Sequence, residues 1–584
     1  QTNPVERAKM LLDDMENDLN VLEFEKDIDR KVNKNLEDSQ KEFILREKLK
    51  VIQEELGEEQ GNEEIKELKE KIASRNLPDN IKNRLEKEIK KITHNPNLPD
   101  MAIIQNYIDW LLSIPFNTFT KDNKDLNKIE ISLNKSHYGL DKIKERIIEY
   151  IAVKQYTKNA KSPIICLVGP PGTGKTTLAI SIAEALNRKY TKISVGGIND
   201  EAELVGHRKT YVGAMPGKII QGIKKAGSMN PVFIIDEIDK MTKDIKGDPA
   251  SALLEVLDPN QNNHFQDHYI EEEVDLSQVL FILTANYIEQ IPLELQDRLE
   301  IIELSSYTEY EKLDIANHYI IKEQLESHGL NPRDVQIEET ALLKIIRNYT
   351  SEAGVRELSR CIESIFRKIV KRRILKRRTN KVILTEENIK EYLGIEKYID
   401  ETKTNKYPGY INALAYTVVG GKVLGIEAIM YKGTGKLNVT GSIGKVMEES
   451  VEIALSYIKA HAKEFKINEE IFDQNDFHVH FIEGAVKKDG PSAGVSVLTV
   501  LISLFKNKPV KANVSMTGEI TLRGEILAVG GLKEKLIAAF AHNINQVFLP
   551  KENEKDLEDV PDEIKEKMKF QFVENYKEIY KKIF

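Results

Sequence analysis

The spacing of apolar and polar positions divides this chain into regions of different period. Residues 1–92 are dense in Glu, Lys and Leu and sparse in glycine. Ile28, Val32 and Leu36 recur at helical spacing, and Leu45, Leu49, Ile52 and Leu56 continue at intervals of 4, 3 and 4, a coiled-coil-like seam. That seam fits a long projecting helix or an amphipathic helix folded onto its own domain. Asn76-Leu77-Pro78-Asp79 and Asn97-Leu98-Pro99-Asp100 each break a helix and restart it, which predicts a small helical domain ending near Pro115. From 116 to 304 short apolar runs alternate with helical stretches, the pattern of a mostly parallel α/β domain. Residues 307–395 turn helical again and end in a basic run, 367–378. A polar linker, 400–408, then leads into a last region of strands and helices reaching Phe584.

At 584 residues the chain is too long for one core, and three to four domains of ~150 residues are expected. The expected boundaries are 1–60 for the long helix, 61–118 for a small helical domain, 119–305 for the α/β domain, 306–398 for a second helical domain and 399–584 for the last domain. A charged content of 31% and a net charge of −9 make nucleic acid a poor principal partner, and the run 367–378 reads better as a solvated helix face. Two cysteines, Cys166 and Cys361, exclude a disulfide framework and suggest a reducing compartment. No apolar stretch approaches the ~18 residues of a membrane span. The chain opens on Gln1, so it reads as a fragment of something longer.

The chemistry concentrates in a few strings. Gly169-Pro170-Pro171-Gly172-Thr173-Gly174-Lys175-Thr176 follows an apolar run, 164–168, and precedes a helical stretch beginning at Thr177. Strand, glycine-rich turn and helix start are the setting in which this spacing means a phosphate cradle. Backbone N–H groups converge on phosphate oxygens there, the helix N-terminus adds its positive end, Lys175 reaches the β- and γ-phosphates, and the Thr176 hydroxyl is placed for Mg²⁺. ATP and Mg²⁺ are the expected ligands. A second apolar strand ends in Asp236-Glu237, the expected Walker B pair: Asp236 to hold Mg²⁺ and Glu237 to polarise the attacking water. A third, 281–286, ends in Asn286, which either orients that water or simply ends the strand. Between the first two strands, Tyr211 and Val212 stand before Gly213 in a polar loop, as a substrate-gripping pair or as the inward side chains of a hairpin.

The last region is harder to read. Ser492, in Lys488-Asp489-Gly490-Pro491-Ser492-Ala493-Gly494, reads first as a helix N-cap, although small neighbours leave it accessible as a nucleophile. His478 and His480 occupy an alternating strand with no Asp–His pairing visible from spacing. Lysines are too many for any one to be chosen as a base; Lys535 becomes interesting only if burial depresses its pKa.

Taken in order, 169–176, Asp236-Glu237, Asn286, Arg298 and Arg356 resemble an AAA+ ATPase. The resemblance implies that Asn286 is sensor 1 and Arg356 sensor 2, and that Arg298 reaches the neighbouring subunit's nucleotide in a ring, expected to be a homohexamer. Longer strings resemble the Lon family of ATP-dependent proteases across almost the whole chain. They are 45–57, His137-Tyr138-Gly139-Leu140, the stretch from Gly206-His207 to Pro216-Gly217, 247–258, 488–494, 516–524 and 530–539. That resemblance implies a multidomain α/β chain: a long helix and helical bundle, an AAA+ module of a parallel α/β domain plus a small helical domain, and a C-terminal α+β Ser–Lys protease domain. It implies Ser492 as nucleophile, Lys535 rather than Lys533 as general base, Thr517 as the residue orienting that lysine, and Asp489 as the acid before the nucleophile. It implies Tyr211 and Val212 as pore residues gripping unfolded or degron-bearing proteins, and a role in protein quality control and stress response.

Two strings depart from the family. Ile482 stands where the family has Pro, and Asn412-Ala413-Leu414-Ala415-Tyr416 where it has Gly-Leu-Ala-Trp. The family's N-terminal substrate-binding domain is expected to be missing ahead of the long helix. An AAA+ remodelling ATPase without proteolysis is the alternative function, and weak DNA binding through 367–378 an added one. Bacterial cytoplasm is favoured over an organellar matrix.

Overall fold

The structure is a computed structural model that describes residues 5, 8, 15, 26, 48, 59–94, 101–157, 164–211, 213–241, 248–376, 380–398, 407–417, 420–482, 488–511 and 513–584. The seam from Ile28 to Leu56, the break 97–100, Val212, Gly247, Arg377, Arg378 and linker residues 400–406 lie outside the described residues. The chain forms two compact units, 1–117 and 118–584.

In the first unit the helices Glu59–Ser74 (α1), Asp79–His94 (α2) and Met101–Ser113 (α3) follow one another. Pro78 denies Leu77 helical geometry and so separates α1 from α2, and Asp79 places a carboxylate at the start of α2. Ile81, Leu85, Ile89 and Ile92 on α2, with Tyr107, Ile108 and Leu111 on α3, are buried at the helical period.

In the second unit, the helices Leu126–Ser136 and Asp141–Tyr156 lead into a five-stranded sheet. Its strands are Ile164–Val168 (β1), Tyr190–Ser194 (β2), Val232–Asp236 (β3), Leu280–Ala285 (β4) and Leu299–Glu303 (β5), in the order β2-β3-β4-β1-β5, and all pairings are parallel. β1 and β4 are buried along their whole length, which is why they read as unbroken apolar runs rather than alternating ones. The helix Lys175–Ala185 (α4) leaves the turn after β1 at the carboxyl edge of the sheet, where open α/β sheets bind ligands.

Beyond β5 the chain is helical, led by Glu309–Ile315 (α5), around a core of Leu342, Ile345, Leu358, Ile362 and Phe366. A parallel pair, Val335–Ile337 (β6) with Val382–Leu384 (β7), was not expected from sequence. Three-residue runs are too short to show a period of two. The long helix Arg356–Lys376 (α6) carries the described part of the basic run. Arg372 pairs with Glu391 at 3.3 Å and lies over the Tyr392 ring, and Arg373 pairs with Asp334 at 3.0 Å.

A four-stranded sheet comes next. Tyr410–Thr417 (β8), Gly420–Lys432 (β9), Leu437–Thr440 (β10) and Asn475–Phe481 (β11) are ordered β8-β9-β11-β10, with only β10 and β11 parallel. Ile482 extends the β9 ladder by one bond, its N–H donating to the Gly425 carbonyl at 3.0 Å. A proline there could not make that bond. The helices Lys445–Ala460 (α7) and Gly494–Phe505 (α8) pack against this sheet, α8 almost wholly buried. The parallel strands Val514–Met516 (β12), Gln546–Pro550 (β13) and Lys569–Val573 (β14) and the helix Leu532–Ala541 (α9) complete the unit.

Asp267 fixes the base of the polar loop 206–217. It is fully buried and accepts from the backbone N–H groups of Gly217 at 2.7 Å, Tyr269 at 2.8 Å and Ile270 at 3.1 Å. A side chain at Gly206 would meet its carboxylate at 2.6 Å. Removing the carboxylate in Asp267→Ala orphans three donors, each worth roughly 1–3 kcal/mol. Amide hydrogen exchange at Gly217, Tyr269 and Ile270 is therefore expected to accelerate by about tenfold or more. Unchanged protection would contradict the assignment.

Candidate functional site

The turn after β1 is built by glycine. Gly172 and Gly174 have φ of 85° and 87°, a region that side chains disfavour, and Gly174 leads directly into α4. A side chain at Gly169 would run into the Leu304 carbonyl. Thr173 is buried and donates to the Pro170 carbonyl at 2.9 Å; Thr177 donates to the Gly174 carbonyl at 2.8 Å; Pro171 faces outward. The result is a backbone cup at a helix N-terminus, a geometry suited to an anion.

Lys175 opens α4 and is buried. Its Nζ donates to the Gly169 and Pro170 carbonyls at 2.6 and 2.9 Å and to Asn286 Oδ1 at 3.1 Å. Loss of hydration pulls its pKa down to about 8 against the attraction of Asp236 and Asp239. Thus Asn286, at the end of β4, meets the lysine of the turn.

Asp236 ends β3 with Oδ2 3.5 Å from the Thr176 hydroxyl and 2.5 Å from Lys192 Nζ. Burial alone would raise its pKa, but hydrogen bonds from Lys192 and Thr284 and the charges of Lys192 and Lys175 outweigh it and hold the carboxyl below its usual range. Glu237 has φ of 65° and pairs with Lys240, while a side chain at Gly196 would meet Glu237 Oε2 at 2.7 Å.

Three further neighbours complete the cluster. Thr284 donates to Asp236, Lys192 pairs with it, and buried Asp239 accepts the Asn286 N–H at 3.0 Å. Asp239 had a signal, being the next acid after Asp236-Glu237. Lys192 lies on an exposed strand position, where any lysine looks solvated.

The helical region supplies one more wall. Val355 N–H donates to the Gly172 carbonyl at 3.1 Å, and a side chain at Gly172 would meet Arg356 Cβ at 3.3 Å. The start of α6 therefore packs on the turn and brings Arg356 beside it. Arg298 is placed differently: it bonds the Glu294 carbonyl at 3.1 Å and lies 3.7 Å from Asp258. Tyr211 is 64% exposed, so its own ring is not packed inward.

The second constellation centres on Lys535. It sits in the first turns of α9, is only 2% exposed, and donates from Nζ to Thr517 Oγ1 at 3.2 Å. Burial pulls its pKa down to about 8, with Glu534 opposing weakly. Thr517, itself buried, donates to the Ser492 carbonyl at 3.3 Å, and the Gly518 N–H reaches the same oxygen at 3.0 Å. Ser492 stands half-buried in the turn before α8. Ser492 and Lys535 line one cleft of about 1600 Å³, which also touches Gly169, Asn286 and Tyr416.

The other candidates have partners of their own. Lys533 lines the same cleft and donates to Ser305 Oγ at 2.6 Å. Asp489 caps α7, accepting the Met447 N–H at 3.2 Å and the Gly490 N–H at 2.9 Å. His478 and His480 share Thr440 Oγ1 at 2.9 and 2.8 Å. Tyr416, where the family has Trp, would meet a side chain at Gly531 at 2.8 Å and so packs on the approach to α9.

Among the described residues no helix is long and apolar enough to cross a membrane. Three family models match: the AAA ATPase family associated with various cellular activities over 165–307, the Lon protease AAA+ ATPase lid domain over 326–382 and the Lon protease (S16) C-terminal proteolytic domain over 383–584. The Lon protease of Aster yellows witches'-broom phytoplasma (strain AYWB) is 48% identical over 580 residues, covering 99% of this chain and 73% of its own. Lon protease 1 of Bacillus subtilis (strain 168) is 47% identical over 572 residues, 97% and 73%. The Lon protease of Vibrio parahaemolyticus (serotype O3:K6, strain RIMD 2210633) is 48% identical over 563 residues, 96% and 72%. With an ATPase module and an S16 proteolytic domain in one polypeptide, this chain belongs to the Lon family of ATP-dependent serine proteases.

Proposed function

We propose that Ser492 is the nucleophile and Lys535 the general base of this protease, and that Thr517 orients the lysine. The observation that carries the reading is the buried Lys535 amine, one hydroxyl removed from the Ser492 backbone. A lysine held near pKa 8 keeps about a tenth of its population neutral at pH 7, enough to accept a proton. Ser492 Oγ attacks the scissile carbonyl while its proton passes to Lys535 Nζ. The tetrahedral adduct collapses, the peptide C–N bond breaks, and the leaving amine takes that proton. Water then attacks the resulting ester, giving its proton to Lys535, which returns it to Ser492 Oγ as the acid leaves.

At the cup, ATP phosphates would lie against Gly169, Gly172 and Gly174 and the N-terminus of α4, with Lys175 transferring its bonds from loop carbonyls to phosphate oxygens. Thr176 and Asp236 offer two hard oxygens near each other, a donor set that fits Mg²⁺. The ion would neutralise charge developing on the phosphates. Asn286 and Glu237 would orient the attacking water, and Arg356 would report the phosphates to the helical region. The partners of Arg298, away from its own cup, support its acting on a neighbour's nucleotide in a homohexamer.

Exposed Tyr211, with Val212 beside it in sequence, would grip an extended chain in the ring's channel. Misfolded or regulatory proteins bearing degrons would then be unfolded, threaded and cut. The domain divisions 119–305, 306–398 and 399–584 suit this division of labour, and bacterial relatives favour a bacterial cytoplasm. Weak DNA binding through α6 is the lesser reading, because Arg372 and Arg373 are engaged in ion pairs.

Two outcomes test the reading. Release of peptides from an unfolded protein is expected with Mg·ATP but not with ADP or without nucleotide, and Ser492→Ala should abolish it while ATP hydrolysis persists. Peptide release by Ser492→Ala, or by Lys535→Ala, would overturn the dyad. For the intact chain, kcat for a short peptide should rise with pH through a midpoint near 8, because the base works only when deprotonated. A rate that falls across that window contradicts a neutral-lysine base.

A further inference from the structure

The fold contains a direct physical connection between the nucleotide cup and the peptide-cleaving residues. After β5, residues 304–310 run along the cup. Leu304 N–H donates to the Val168 carbonyl at 2.7 Å, and the Leu304 carbonyl fills the space where Gly169 would carry a side chain. The Tyr307 hydroxyl donates to the Thr173 carbonyl at 2.8 Å, inside the turn itself. Its N–H reaches the Ala353 carbonyl at 2.9 Å, next to the segment that brings Arg356 to Gly172.

The same stretch holds α9 at both ends. Near the start of the helix, Lys533 Nζ donates to Ser305 Oγ at 2.6 Å. Near its end, the Phe540 ring packs on Tyr310 with centroids 6.4 Å apart. The Lys567 ammonium lies 5.4 Å from the Tyr310 ring and 5.7 Å from the Phe540 ring. Between these two attachments sits Lys535. Movement of 304–310 relative to the cup is therefore delivered to the helix that carries the amine.

We propose that Lys533 is a positioning residue: through Ser305 it ties the orientation of Lys535 to the nucleotide state of the phosphate cup. This rests on the assignment of Lys535 as the base. Lys533 lines the same cleft as Lys535, but its ammonium is held by Ser305 rather than by Thr517. The segment has one arrangement when Tyr307 holds the turn as seen here, and another when phosphate oxygens draw the turn's backbone and Lys175 into new bonds. The Lys533–Ser305 bond passes that difference on, as coupling between two sites through a shared element requires. Without the Lys533–Ser305 bond the helix keeps its nucleotide-free geometry, held by its other contacts, and no longer responds to the cup.

The test measures hydrolysis of a short fluorogenic peptide by the full chain, with and without Mg·ATP, alongside ATP hydrolysis. Lys533→Met and Ser305→Ala are each expected to keep ATP hydrolysis and the nucleotide-free peptide rate within about twofold. The stimulation by Mg·ATP should fall about fivefold or more, in kcat rather than KM. The double variant should lose no more than either single one, since both break the same bond. Lys533→Arg, which retains a donor for Ser305, should restore most of the stimulation. Should Lys533→Met destabilise the chain, Ser305→Ala, which removes one oxygen, decides the question. Full stimulation in both single variants would overturn the proposal, as would an unaltered chain whose peptide hydrolysis ignores nucleotide. Peptide hydrolysis that survives Lys535→Ala would instead sink the base assignment, while the stimulation ratio in Lys533→Met still reads the coupling.

Discussion

Two ammonium groups taken out of water set the conditions for everything else in this molecule. Lys175 and Lys535 each lie in the opening turns of a helix, each is buried, and each has its pKa lowered to about 8 chiefly by loss of hydration. Burying a charge without partners is costly, so each amine needs oxygens around it. Lys175 finds two carbonyls of its own turn and Asn286; Lys535 finds Thr517. The two environments are prepared for different work. Around Lys175 the acids Asp236 and Asp239 favour the charged form, as phosphate binding requires. Around Lys535, among the described residues, Glu534 alone does so, and the neutral form is within reach at ordinary pH.

The scaffold follows from these needs. Fully buried strands β1 and β4 fix the ends from which the cup and Asn286 project. The buried helix α8 fixes the turn holding Ser492, and β12 delivers Thr517 to the space between serine and lysine. Glycines serve where backbones must approach closely. Gly172 admits Arg356 and its neighbours, and Gly421 lies so near the Glu534 carbonyl that a side chain there would displace α9. Because α9 is tied to residues 304–310, the two chemistries are not independent modules joined by a tether.

How much of this could be read from the residues alone differed between the sites. The phosphate cup was legible because its chemistry is local: backbone groups of consecutive residues do the binding, so sequence spacing and geometry coincide. The same holds for β1, β3 and β4, whose apolar runs report burial directly. The peptide-cleaving site was not legible from physics, because what distinguishes Lys535 from its neighbours is burial, and Lys533 two residues away looks the same in sequence. One turns inward to Thr517 and the other to Ser305. Only the family resemblance separated them beforehand. His478 and His480 drew attention for their chemistry, yet Thr440 takes both. Lys192, Thr284 and the 304–310 connection depend on strand pairing and long-range contacts that no local pattern encodes.

Burial, rather than a charged partner, prepares Lys535 to act as a base. The most direct measurement is titration of the Lys535 side chain by lysine-selective NMR on the full chain, its signal assigned by comparison with Lys535→Ala. A midpoint near 8 is expected, well below the ordinary lysine value of about 10.4. A midpoint at the ordinary value would show an amine fully charged at working pH, and would contradict the account.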